Sequence, residues 1–105
     1  MEEFAKIDHY FGKTFEEILE VVAKVAEVDR EAILSKNKTV EVVDARHVLV
    51  QILVEQGWYP ARIARKLGIT EGTVSRTIDH FNDRCRRGGF FIKNVLKTTR
   101  ETIDR

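Results

Sequence analysis

Pro60-Ala61-Arg62-Ile63-Ala64-Arg65-Lys66-Leu67-Gly68-Ile69-Thr70-Glu71-Gly72-Thr73-Val74-Ser75-Arg76-Thr77-Ile78 reads as two short helices meeting at a tight corner. Three positions carry that reading. Ala64 stands where the helices approach closely, so a larger side chain would force them apart. Gly68, four residues on, falls where the turn demands a left-handed backbone that glycine adopts without steric cost. Val74, six residues further, plugs the second helix into the first beside Ile63, Leu67 and Ile78. Pro60 suits a first helical turn, and Thr70 suits the N-cap of a second helix reaching about Asn82.

This spacing resembles the helix-turn-helix pattern, here over residues 60–81. With Val74 and Ile78 turned inward, helical geometry points Glu71, Gly72, Ser75, Arg76 and Asp79 outward. Such motifs lay that face into the major groove of double-stranded DNA, helix N-terminus foremost. Arg76 is the side chain suited to a bidentate contact with guanine, and Thr70, Thr73 and Ser75 suit phosphates or base edges. On the first helix, Arg62, Arg65 and Lys66 are placed for the backbone. A structural helical hairpin is the plainer alternative, because Ala and Gly mark corners in many bundles. Glu71 and Asp79 repel phosphate, or accept from cytosine amino groups.

The flanking sequence is helical too. Phe4, Ile7, Tyr10 and Phe11 have the spacing of a short amphipathic helix, an extension over residues 1–14 that ends at Gly12. Thr14 and Glu17 make a capping box for a helix with Phe15, Ile18, Leu19, Val22, Val25 and Ala26 on one stripe. Asp29 caps a shorter helix through Leu34, with Ile33 and Leu34 inward. Ser35–Val40 reads as a loop, and Asp44 as the cap of a helix over Ala45–Gln56. The apolar run Val48–Val54 has the β-branched content of a buried strand, but its length favours a central helix packed on several sides. Gly88-Gly89 sets off a last helix over Phe90–Ile103, striped by Phe91, Val95, Leu96, Thr99 and Ile103. Its stripe either folds back on the core or pairs with a second subunit as a homodimer. The expectation is an all-α, compact bundle of five or six helices in one domain, residues 1–105.

Composition agrees with a globular domain: 43% hydrophobic and 33% charged residues, with only one Pro. The net charge of +1 conceals a split. Residues 1–34 hold four Lys/Arg against nine Asp/Glu, whereas residues 35–105 hold fourteen against eight. The C-terminal two-thirds has the sign that phosphate binding requires. A single cysteine, Cys85, excludes an intrachain disulfide and a cysteine-built metal site. The acidic start Met1-Glu2-Glu3 is unlike a secretory signal, and no stretch is long enough to span a bilayer. The expected setting is cytoplasmic, at the nucleoid when bound to DNA.

A wider resemblance covers residues 15–82, which look like the C-terminal DNA-binding domain of the bacterial replication initiator DnaA, in the Trp-repressor-like group. It is carried by Phe15-Glu-Glu-Ile-Leu-Glu-Val-Val, Ala32-Ile-Leu-Ser-Lys, Ala45-Arg-His-Val and Ile63-Ala-Arg-Lys-Leu-Gly. The resemblance implies a basic loop at the minor groove, here Lys36 and Lys38, and an arginine on the long central helix, here Arg46. The family's Arg-Asp-His-Thr-Thr run is replaced by Ile69-Thr-Glu-Gly-Thr, one residue shorter, and Val40 and Asp44 dilute the basic loop. The fold is thereby implied more firmly than the initiator's target. No Gly-rich phosphate loop is present, so nucleotide-driven activity is not expected. The expected role is in transcription regulation or in replication of a mobile element.

Nothing in the sequence points to catalysis, a cofactor or a metal. His9, His47 and His80 share no ligand spacing and read as surface or boundary residues. Arginines around Cys85 would lower its thiol pKa, but an incidental cysteine is the better reading. Trp58 and Tyr59 are expected to close the core above the motif. Arg84-Cys85-Arg86-Arg87 is either a phosphate clamp or a basic helix end. The competing functional class is a protein-interaction module that keeps the fold, docking through the acidic N-terminal face or through Phe90–Ile103.

Overall fold

Thr14 opens the first helix as a capping box. Its hydroxyl accepts from the Glu17 amide at 3.2 Å, while the Glu17 carboxylate accepts from the Thr14 amide at 2.9 Å. The computed structural model describes residues 14–104; the helix expected before Thr14, with His9 in it, lies outside them. The described residues form α1 (Phe15–Ala26), α2 (Arg30–Leu34), α3 (Val40–Glu55), α4 (Pro60–Leu67), α5 (Glu71–Asp79), α6 (Phe81–Gly88) and α7 (Phe90–Ile103), joined by short loops. No described residue is in a strand, and the fold is all-α. None of these helices is long and apolar enough to cross a membrane.

The central helix is α3, which touches each of the other six. It buries Val42, Ala45, Val48, Leu49, Val50, Ile52 and Leu53, so burial runs around its circumference. A helix enclosed in this way has no clean apolar stripe. Each fully buried Leu, Ile or Val contributes about 1.5–3 kcal/mol of transfer free energy. α1 and α7 pack on α3 and on each other, offering Ile18, Leu19 and Val22 from one and Ile92, Val95, Leu96, Thr99 and Ile103 from the other. The α7 stripe therefore folds back on the core, with Ile92 joining it and Phe91 only half-buried. Arg100 fastens α7 to the end of α3, its Nε donating to Glu55 at 3.0 Å. Arg30, at the start of α2, bridges Glu16 and Glu20 on α1.

Two boundaries and one burial differ from the sequence expectations. Asp44 does not cap α3 but lies inside it, because the helix already begins at Val40 behind Thr39. Its side chain is 4% exposed and accepts from Arg84 Nε of α6 at 2.7 Å. The helix after Thr70 stops at Asp79 rather than near Asn82; the chain bends at His80 (φ −96°, ψ 3°) and α6 follows. Leu34, expected inward, is 37% exposed, since the short α2 buries only Ile33. Asp29 does stand at the N-cap of α2, without a capping hydrogen bond from its side chain.

Candidate nucleic-acid interface

The corner between α4 and α5 is built as its sequence requires. Pro60 occupies the first turn of α4 behind Tyr59. Ile63, Ala64 and Leu67 are buried, and Val74 of α5 is fully enclosed against them, with Ile78 half-buried. Gly68 ends α4 at φ 67°, ψ 33°, and the next amide, Ile69, donates to the Ala64 carbonyl at 3.0 Å. No heavy atom lies within 4 Å of where a Cβ on Gly68 would stand. Backbone conformation alone therefore makes this position glycine's.

Thr70 caps α5, its hydroxyl accepting from the Thr73 amide at 3.1 Å. The two hydroxyls of Thr70 and Thr73 meet at 2.9 Å, and Arg76 Nη2 reaches the Thr73 hydroxyl at 3.4 Å. Thr73 is thus half-buried and committed to organising the first turn, and it steers the Arg76 guanidinium towards the helix N-terminus. Glu71, Gly72, Ser75, Arg76 and Asp79 all emerge on the solvent face. Gly72 has no need to be glycine within the chain: a Cβ there would meet only the Thr70 hydroxyl, at 3.9 Å.

The other basic residues fall into two groups. Lys36 and Lys38 are exposed in the loop between α2 and α3, and Arg65 and Lys66 are exposed on α4, with the Lys66 ammonium 5.7 Å from the Phe15 ring. Arg62 is half-buried, its guanidinium 4.0 Å over the Trp58 ring. Trp58 in turn lies 6.1 Å from Phe15 and closes the core above α4. Tyr59 does not share that task, being 78% exposed.

Arg46 has a different position from the one its basic character suggests. Its Nε donates to the Ile33 carbonyl at 2.7 Å, and its Nη2 to the carbonyls of Ser35 at 2.8 Å and Ala32 at 3.1 Å. These carbonyls lie at and just beyond the end of α2, where the helical ladder runs out; that of Ala32 also accepts from the Ser35 amide at 3.1 Å. Burial holds its pKa below the ordinary arginine value. Arg46 thus shapes the loop that carries Lys36 and Lys38, and its guanidinium is spent inside the chain.

α6 adds charges that the sequence pattern did not sort. Arg84 is held by Asp44, whereas Arg86 and Arg87 are 76% and 81% exposed and share the Asp83 carboxylate, at 2.5 and 2.7 Å. Together they hold the Asp83 carboxyl below its usual range, Arg86 foremost. A cavity of about 350 Å³ separates this helix from the start of α3, walled by Val40, Asp44, His47, His80, Asp83 and Arg87 among others. His47 is more enclosed than a surface residue; burial, aided by the charges of Arg84 and Arg46, lowers its pKa to about 4. Burial also raises the Cys85 thiol above its ordinary pKa, outweighing the basic residues near it. Among the described residues no group of His, Cys, Asp and Glu is arranged to hold a metal.

Residues 43–89 match the Homeodomain-like domain family, spanning most of α3 and all of α4, α5 and α6. The match supports a helix-turn-helix of the DNA-binding kind and does not single out the replication initiator's domain. No curated protein matches the chain.

Proposed function

We propose that this chain binds double-stranded DNA sequence-selectively, with α5 in the major groove and the Lys36–Lys38 loop and Arg65 against the phosphate backbone. The observation that carries the reading is the solvent face of α5, where Ser75 and Arg76 stand beside a glycine that nothing in the fold requires. Glycine in a helix costs about 1 kcal/mol relative to alanine, and bareness at position 72 lets another molecule approach the helix backbone. The Homeodomain-like match over the same helices supports this use. So does the resemblance of residues 15–82 to the initiator's domain, although Arg46 is better assigned to building the basic loop than to touching DNA. The role is one of binding without catalysis, in transcription regulation or in replication of a mobile element.

Two sets of variants test it. Gly72→Ala stabilises the fold by roughly 0.5–1 kcal/mol while weakening duplex binding, opposite signs that a purely structural hairpin would not produce. Equal or tighter binding by this variant in fluorescence anisotropy would remove the close-approach argument. Arg76→Ala relaxes specificity at one base pair and costs about 1–3 kcal/mol of affinity on the preferred duplex. Lys36→Ala weakens all duplexes alike and flattens the salt dependence by about one ion. If Arg76→Ala leaves the preference among duplexes unchanged, α5 is not the reading helix.

A further inference from the structure

Exposed charges follow α5 past the bend at His80. His80 N donates to Arg76 O (3.0 Å) as the last bond of α5, and His80 O accepts from Arg84 N (2.9 Å) as the first of α6, so the two helices join end to end at this residue. Val74, Ile78, Phe81 and Cys85 continue one inward row at helical spacing, all buried or half-buried. Arg76 and Asp79 of α5 and Arg86 and Arg87 of α6 are exposed, with Asp83 half-buried between them in the chain. Arg87 and Asp83 also wall the same cavity as Val40, the residue at which the Lys36–Lys38 loop enters α3. One exposed cation, Arg87, thus lines a cleft that reaches the point where the Lys36–Lys38 loop enters α3.

We infer that Arg86 and Arg87 form a second contact of this chain with duplex DNA, a phosphate clamp whose site is occupied by the Asp83 carboxylate until a backbone phosphate displaces it. This rests on the duplex-binding reading of α5 and extends it past the bend. The chemistry is an exchange of like for like. A carboxylate and a phosphate both present oxygens to guanidinium N–H groups, and the phosphate accepts from two arginines at once. Arg84 is not part of the clamp, because the buried Asp44 holds it. Exposed pairs of the Asp83 kind are weak in water, so the exchange is readily reversible. Its consequence is that Asp83 restrains the sequence-independent part of binding and leaves the α5 contacts to decide between sites.

The test is the salt dependence of binding for the whole chain, its Asp83→Asn variant and its Arg86→Ala/Arg87→Ala double variant, on a preferred duplex and on a scrambled one. All the changed side chains are largely or partly exposed, and circular dichroism checks that each variant folds. The double variant should flatten the slope of log K against log salt by about 1–2, since each phosphate contact contributes about 0.9. Asp83→Asn should steepen that slope and raise affinity about tenfold at roughly 0.1 M salt on both duplexes alike. A wild-type slope in the double variant, or unchanged affinity in Asp83→Asn, overturns the clamp while leaving α5 as the reader. Failure of the wild-type chain to bind any duplex at low salt overturns both.

Discussion

Replacing Arg84 with alanine should destabilise the folded chain by about 3 kcal/mol. The Asp44 carboxylate is 4% exposed and has the Arg84 Nε at 2.7 Å. Without the arginine, that carboxylate is left inside the fold between α3 and α6 with no counter-charge. The full range for breaking a buried pair is about 3–5 kcal/mol; the lower end applies because the Arg84 side chain is itself 32% exposed. The loss comes from leaving one charge stranded, not from the worth of the pair, so Asp44→Leu combined with Arg84→Met should recover most of it. Urea titrations of the three variants measure this. A loss below about 1 kcal/mol for Arg84→Ala would mean that the pair does not join α3 to α6.

The second large effect is one of pH. His47 titrates near 4 in the folded chain, chiefly through burial, whereas in the unfolded chain it titrates near its ordinary value of about 6.5. Between those values the unfolded state binds a proton that the folded state refuses, so stability rises with pH across that window. The full stability is present above about pH 6.5 and falls away towards pH 4, by at most about 3 kcal/mol. Glu55 and Asp83, whose pKa values are depressed by arginine partners, lose their contributions lower down, as pH falls through the carboxylate range. The histidine's share is therefore isolated by His47→Gln, whose stability should be nearly flat from pH 6.5 to about 4.5 while the wild type declines. Parallel curves for the two proteins would show that His47 is not enclosed.

The elements that the sequence made legible are those whose physics is local. The Thr14–Glu17 capping box, the left-handed turn at Gly68 and the Thr70 cap each need only a few neighbouring residues, and all three are realised. The inward placing of Val74 follows from helical spacing in the same way. What escaped is long-range or ambiguous in kind. Asp44 before an apolar run has the look of an N-cap, and only its partner 40 residues away reveals a buried ion pair. Arg46 has the charge of a phosphate contact, yet the unpaired carbonyls at the end of α2 claim its donors first. The bend at His80 is invisible to periodicity because the inward row Val74–Ile78–Phe81–Cys85 passes through it unbroken. The basic run at 84–87 could be sorted only by burial: one arginine faces the core and two face solvent.

Reading of duplex DNA by the exposed face of α5 is the proposal on which the other binding predictions depend. Its most direct test is selection from a randomised duplex pool, with fluorescence anisotropy across a salt titration and sequencing of the bound fraction. The expected result is an enriched motif, affinity that falls steeply with salt, and loss of preference at one base pair in Arg76→Ala. Absence of binding at low salt, or binding with no enriched sequence, would contradict it.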